Sequence, residues 1–550
     1  MRNRKPAQAA SLVPWAFLVV LAALVFVAYV RLRVADVPLE RDEGEYAYAG
    51  QLILQGIPPY ELAYNMKFPG TYYAYAAILA VFGHTPWGIH AGLMIVNLAS
   101  ILLVFAIGRR LLGSFAGAVA AVSFSILSLD RWIYGVFAHA THFVVLAALA
   151  GLLLVLHANE NERKPWFFWS GVLLGLSVLM KQHAVFFLPL GAALVVWGGG
   201  PGAGRVTAAN AKRIGVMALG ALSPVAVVIV VLLAQGALGR FWFWTFHYAR
   251  AYVSEVSLSN AFPNLVEGFK FVTPVNLAFW VLGGLGLAAL WIARWDARAR
   301  VFVTGLLVAS FLAICPGFFF RPHYFILLLP AVALLCGAAV TSLRDVLARS
   351  LSRRAATALA AAVLVVTVGL YATQERRYLF SMGTRELSRV SYGSNPFIEA
   401  VAIAKYIRDH TGDDDRIAVV GSEPEIYFYA NRKGATGYIY TYPMMEPQPY
   451  AKTMQQEMIR EIESAHPRYL VFSWIEASWL ANKDSDQGIV AWGQRYTRKC
   501  YDPVGVADII SAHETRFAWE EDKVRNYVPG SSSLVYTFRR KSDAACTASE

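Results

Sequence analysis

Six consecutive residues, Glu40 to Glu45, hold five ionisable side chains: Glu40, Arg41, Asp42, Glu43 and Glu45. They follow the apolar run "VPWAFLVVLAALVFVAYV" by only a few residues. Carboxylates grouped in this way, Asp42 and Glu43 above all, can take a proton from a hydroxyl within hydrogen-bond reach. Lys67 follows in "NMKFPG", a compact cation of the kind that stabilises a developing negative charge. A plainer account also exists. Acids favour the first turn of a helix, and a lysine at a bilayer surface snorkels to the headgroups.

Further polar residues stand at the ends of apolar runs. Tyr46 lies on one side of an amphipathic stretch with Leu52 and Ile53. Asp130 and Arg131 end one run, and His139 and His142 share a helical face at spacing i, i+3. Lys181, Gln182 and His183 sit between two runs, and Arg321, His323 and Tyr324 open another. Each has a structural alternative: a local ion pair for Asp130 and Arg131, packing for the histidines, snorkelling for Lys181, a pinned helix end for Arg321. Ionisable groups at membrane depth usually face a cavity or one another. What favours function is that all of them are expected on one membrane face.

That expectation rests on the elements that must position these residues. The chain has 550 residues, 57% hydrophobic and only 16% charged, with a mean hydropathy of +0.45; an average soluble domain is about a quarter charged. Apolar runs of spanning character fall at about 12–31, 88–108, 114–130, 136–157, 166–180, 183–198, 213–235, 275–294, 300–315, 322–341 and 354–374, roughly eleven in all. The stretch "TYYAYAAILAVFG" at 71–83 is too short to span and is expected along the interface. The first run has a basic flank, "MRNRK", without a small-x-small cleavage site, and reads as an uncleaved anchor.

With the N-terminus inside, every inside loop is basic: Arg2, Arg4 and Lys5; Arg109 and Arg110; Arg163 and Lys164; Arg205, Lys212 and Arg213; Arg294, Arg298 and Arg300; Arg344, Arg349, Arg353 and Arg354. This is the positive-inside pattern. The first outer loop (32–87), with the Asp42 cluster, then faces outward, as does everything after about 375. The +12 net charge needs no nucleic-acid partner, and no nucleic-acid motif is present. The Gly-rich "GGGPGAG" at 198–204 reads as a flexible inside loop.

Residues 388–550 change character. Period-2 runs "RIAVVG", "RYLVFSW" and "SLVYTF" alternate with helix-like "NPFIEAVAIAKYIRDHTG" and "PYAKTMQQEMIREIESAH", the pattern of a small α/β domain. It has no G-x-G-x-x-G and no P-loop, so no nucleotide site is read. Cys315 and Cys336 read as small apolar helix residues. Cys500 and Cys546 could pair in an oxidising compartment. No metal-ligand spacing occurs; acids with histidines leave room for a divalent ion without demanding one.

"RDEGEYAYAGQLILQGIPPYELAYNMKFPGTYYAYAAILAVFG", directly after a first membrane helix, resembles the GT-C glycosyltransferases, in particular the protein O-mannosyltransferase and lipid A aminoarabinose transferase group. The Asp-Glu pair of that group maps to Asp42 and Glu43. Its Lys-Pro-Pro-type motif maps to "KFPG", with Lys67 and Pro69 kept and Phe68 in place of the first Pro. "LSVLMKQHAVFFLPL" and "FFFRPHYFILLLP" resemble later helix ends of the group. The resemblance covers about 10–375. Two departures stand out: Glu45 occupies the place where aminoarabinose transferases have an Arg that helps hold the lipid phosphate, and Thr141 the place of an acid in some relatives.

The resemblance implies a polytopic α-helical membrane protein of GT-C type, with interfacial helices in the first outer loop. A transmembrane catalytic domain would occupy 1–380 and an extracytoplasmic α/β domain 388–550. It implies an inverting transfer of a hexosyl or pentosyl group from a polyprenyl-phosphate sugar to a hydroxyl of a glycan, lipid or protein. Asp42 and Glu43 would be catalytic. Lys67, Arg321 and Lys181 would bind the donor phosphate. Tyr46, Asp130, His139, His142, His323 and Tyr324 would line the pocket. The setting would be the outer face of the plasma (bacterial inner) membrane, with the N-terminus cytoplasmic. The rival is a transporter or flippase of a lipid-linked saccharide, which needs charges deep in several spans; here the charges gather at span ends.

Overall fold

A computed structural model describes residues 14–161, 164–197, 204, 207–293, 295–542 and 546. Arg2, Arg4, Lys5, Arg163, Arg205, Arg294 and residues 198–203 of the Gly-rich loop lie outside the described residues. The chain forms two compact units. One holds the residues up to Val34, His90–Val230 and Val256–Met382; the other holds Ala35–Ile89, Val231–Glu255 and Gly383–Glu550.

The first unit is helical because its apolar runs must satisfy their own backbone groups in lipid, and an α-helix does so within one segment. A helix stands at each expected run. Among the described residues seven are long and apolar enough to cross a membrane: Pro14–Arg33, Pro86–Leu112, Ala140–Asn161, Ala208–Ala234, Ala297–Ile314, Pro322–Leu347 and Arg353–Gln374. An eighth arises if Leu258–Val272 and Leu277–Ile292, bent by 118°, count as one span. The helices Ser114–Leu127, Lys164–Met180 and Phe187–Trp197 are shorter, so among the described residues seven or eight of the roughly eleven expected runs reach spanning length and composition.

Glycines let some of these helices approach closely. A Cβ on Gly286 would meet the Leu335 carbonyl oxygen at 1.9 Å, and one on Gly171 would meet that of Met217 at 1.9 Å. Helix ends expected inside meet one another: Arg110 pairs with Glu160, and Arg298 lies 3.8 Å from the same carboxylate. Ends expected outside form a separate network. Buried Arg31 donates to Asn97 Oδ1 at 3.2 Å and to the carbonyls of Ser128 and Gly135 at 3.1 and 2.9 Å. Arg131 pairs with Glu375 at 2.7 Å.

The second unit contains a six-stranded mixed sheet in the order β2-β1-β3-β6-β4-β5. Its strands are β1 (Arg416–Val420), β2 (Lys433–Gly434), β3 (Tyr469–Trp474), β4 (Tyr501–Ile509), β5 (Thr515–Trp519) and β6 (Leu534–Arg540). β1 runs parallel to β2 and β3; the other pairings are antiparallel. The three expected strands are β1, β3 and β6, and the two expected helices are Phe397–Asp409 and Ala451–Ala465. Cys500 and Cys546 form a disulfide, which ties the start of β4 to the chain beyond β6. The same unit includes the helices Arg41–Leu54 and Gly70–Phe82, which pack so closely that a Cβ on Gly50 would lie 2.9 Å from the Ala76 nitrogen.

Candidate active site

The helix Arg41–Leu54 starts at a capping box. The Glu40 side chain accepts from the Glu43 N–H at 2.9 Å, and the Glu43 side chain accepts from the Glu40 N–H at 3.2 Å. Two orphan donors of the helix end are satisfied reciprocally. Glu43 is therefore buried and turned back on its own helix start, while Asp42, one residue earlier, keeps a side chain 27% exposed.

Asp42 and Glu45, three residues apart on one face of this helix, share a single ammonium. Lys67 Nζ donates to Asp42 Oδ1 at 2.8 Å and to Glu45 Oε2 at 2.6 Å. The ammonium also lies 4.5 Å from the centre of the Tyr46 ring, a cation–π contact. Glu45 is fully buried and takes two more donors: the Tyr72 hydroxyl on Oε1 at 2.6 Å and the Tyr440 hydroxyl on Oε2 at 2.8 Å. Burial alone would favour the neutral amine of Lys67, but Asp42 and Glu45 outweigh it and hold the ammonium well above the ordinary lysine range. Burial raises the Glu45 carboxyl, with Lys67 and Tyr72 pulling the other way.

The "KFPG" turn is fixed from behind. The Tyr60 hydroxyl donates to the Lys67 carbonyl at 2.7 Å. Phe68, in the place of a Pro, packs on Phe241 and Phe246 at 5.8 and 6.1 Å between ring centres.

The helix is also held by the C-terminal residues. Arg41 donates to the Ser422 carbonyl at 2.5 Å and to Asn395 Oδ1 at 2.9 Å, and lies 3.6 Å from the buried Glu423 carboxylate. The Gly434 N–H donates to the Tyr48 hydroxyl at 2.8 Å, and Gln51 reaches the Phe428 carbonyl at 3.5 Å. Gly44 has no room for a side chain, because a Cβ there would lie 2.6 Å from the Glu425 nitrogen. Burial raises the carboxyls of Glu423 and Glu425, the latter well above the usual range. Sequence reading singled out none of Tyr72, Tyr440, Glu423 or Glu425. Tyr72 was within reach, one turn past "KFPG", but the others lie hundreds of residues away.

The other expected site residues belong to the helical unit. Asp130 is fully buried; it caps the turn Arg131–Ile133 by accepting from the Trp132 N–H at 3.1 Å and accepts from Asn276 Nδ2. His139 and His323 stack, with ring centres 4.3 Å apart. Tyr324 lies edge-on to His323 at 4.8 Å and to His183 at 5.0 Å. Lys181 Nζ sits 4.1 Å from the Tyr324 ring centre. His183 Nδ1 lies 2.9 Å from the Ala313 carbonyl oxygen, and the Arg321 guanidinium 5.3 Å from the Phe319 ring. His142 is buried beside this group, its N–H donating to the His139 carbonyl at 3.1 Å. The structure thus gathers Asp42, Lys67 and Tyr46 in one unit and His139, His323, Tyr324 and Lys181 in the other.

Two solved structures of ArnT from Cupriavidus metallidurans match 84% of this chain and 94% of theirs at 19% identity. The apo state gives a TM-score of 0.54 and the form bound to undecaprenyl phosphate 0.53. This chain has a GT-C fold. A family model described as dolichyl-phosphate-mannose-protein mannosyltransferase matches residues 67–230. That stretch of the GT-C fold opens at Lys67 itself and leaves Asp42 and Glu43 before it. No curated protein matches the chain.

Proposed function

We propose that this protein is a membrane glycosyltransferase that moves a sugar from a polyprenyl-phosphate donor to an acceptor hydroxyl, with inversion, at the outer face of a cell membrane. The observation that carries the reading is the Lys67 ammonium held between Asp42 and Glu45, on the loop motif shared with GT-C enzymes. The GT-C fold supports it, as does the undecaprenyl phosphate bound by a protein of the same fold. An outward C-terminal region is supported by the Cys500–Cys546 disulfide, since such bonds persist in oxidising compartments, and by the basic inside loops.

In this reading Asp42 is the general base. As the acceptor oxygen attacks the anomeric carbon, its proton passes to a carboxylate oxygen of Asp42. The bond between that carbon and the phosphate oxygen breaks on the opposite side, and polyprenyl phosphate leaves with the bonding pair. Arg321 and Lys181 are assigned to the leaving phosphate. Lys67, with two carboxylates as its partners, is assigned to holding Asp42. Glu43 fixes the helix start. Tyr46, His139, His142, His323 and Tyr324 are assigned to the substrate pocket.

The test is release of undecaprenyl phosphate from a set of undecaprenyl-phosphate-linked hexoses and pentoses. Purified full-length protein is mixed with glycan, lipid and protein fractions of a bacterial envelope. Acceptor-dependent release from at least one donor is expected; translocation of these lipids across vesicles with no release would favour a flippase instead.

A further inference from the structure

We propose that Tyr440 is a positioning residue for Asp42, acting through Glu45 and Lys67. The inference rests on the proposed role of Asp42 as base and extends it to a residue 395 positions from Glu45 along the chain.

Glu45 is the anchor of the arrangement. A carboxylate with no solvent exposure survives in ionised form only when its oxygens are supplied with donors. Here the supply comes from three directions. Lys67 and Tyr440 reach Oε2 at 2.6 and 2.8 Å, and Tyr72 reaches Oε1 at 2.6 Å. Among the described residues, the titratable groups facing Glu45 include Asp42 and Tyr46 on its own helix, Tyr60 and Lys67 on the loop that follows, Tyr72 on the next helix, and Tyr440. The cation among these is Lys67.

The consequence falls on Asp42. While Glu45 is ionised, the single ammonium is shared between two carboxylates, and Asp42 retains its affinity for a proton. Once Glu45 takes a proton, it no longer draws the ammonium, and Lys67 pairs with Asp42 alone. A carboxylate held by an undivided cation is a weaker base. The Tyr440 hydroxyl opposes that protonation. The same hydroxyl lies 3.0 Å from the Arg41 carbonyl oxygen, so both of its acceptors belong to the start of the helix that bears Asp42. The Tyr440 ring stacks on Tyr442 at 5.7 Å and 6°, and Tyr442 lies 5.2 Å from the Arg41 guanidinium. The hydroxyl is thus aimed by a packed aromatic pair.

The test uses full-length protein in detergent and Tyr440→Phe, which keeps the ring and removes only the donor. Infrared difference spectra recorded against pH report the Glu45 carboxyl, identified as the band lost in Glu45→Gln. In Tyr440→Phe its midpoint is expected to rise by about one pH unit, the scale of one lost charge-assisted hydrogen bond. The acid limb of sugar transfer from an undecaprenyl-phosphate donor should rise with it. On the acid limb, below both midpoints, kcat should fall about tenfold, the change that a one-unit rise of the midpoint produces there, with KM nearly unchanged. Raising the pH should restore wild-type turnover, which a loss of packing would not allow. An unmoved midpoint, or a moved midpoint with an unmoved transfer profile, overturns the inference while Asp42→Asn still tests the base. Full activity in Asp42→Asn removes the base itself, whatever the infrared result.

Discussion

Lys67 Nζ lies 2.6 Å from Oε2 of Glu45, a carboxylate with no exposure. The resemblance to the aminoarabinose transferases places an arginine of that group at Glu45; in this chain the position holds an anion aimed at Lys67. The charge of Lys67 is therefore used within the protein, on Asp42 and Glu45.

Lys67→Ala should lower kcat by roughly 10- to 150-fold, the range of one lost charge-assisted contact. It removes the cation that Asp42 and Glu45 share, so one of them holds a proton to higher pH. Steady-state rates against donor concentration decide between two roles. A fall confined to kcat supports the positioning role; a rise in donor KM with kcat intact returns Lys67 to the phosphate. Lys67→Arg should retain part of the rate, since charge survives and geometry changes.

The pH profile has a definite sign. The folded protein holds Lys67 protonated well above the ordinary lysine range, so its stabilising charge is intact below the unfolded pKa and lost only as pH rises through the folded one. Lys67 contributes no limb near neutrality. Glu45, raised by burial, loses its ionised form as pH falls, above the range of an exposed glutamate. Transfer should therefore fail on the acid side, and Glu45→Gln should abolish that dependence together with most of the rate. A profile that falls between pH 7 and about 9 would contradict this assignment.

Gly44→Ala should destabilise the unit by about 1–3 kcal/mol, the cost of overpacking a filled site, because its Cβ would meet Glu425 backbone and side-chain atoms at 2.6 and 2.7 Å. Thermal unfolding in detergent checks this. Gly369→Ala, where a Cβ meets nothing within 4 Å, is the control and should be neutral or mildly stabilising.

Topology is open to single-cysteine labelling with Cys315 and Cys336 replaced and the disulfide left intact. Exposed Asp413 and Lys523 should react from outside in intact cells. Exposed Ala209 and Ser350 should react only after permeabilisation. Outside labelling at Ala209 would break the expected orientation.

How much of this was written in the sequence differs by residue. Asp42 and Lys67 were legible because a carboxylate cluster and a Lys-Phe-Pro turn stand out against apolar runs. Each apolar run stands as a helix, and the segment from Ser114 to Leu127 is 14 residues long, about 21 Å at 1.5 Å per residue; hydropathy marks where such helices lie but not where they end. β4 escaped notice because Pro503 and Gly505 interrupt its pattern at a bulge. Tyr440 carried no local signal: its role comes from a hydrogen bond to Glu45 across most of the chain. The capping role of Glu43 was readable in principle, since Glu40 and Glu43 have the spacing of a capping box, yet the acidic pair drew attention to chemistry first.

In the proposed mechanism Asp42 takes the acceptor's proton. The most direct measurement is single-turnover sugar transfer by Asp42→Asn beside its affinity for undecaprenyl phosphate. The amide is nearly isosteric but cannot accept the proton. A transfer rate at least about 100-fold lower is expected, with lipid affinity close to wild type. Transfer near the wild-type rate, with the protein folded and the lipid bound, would contradict it.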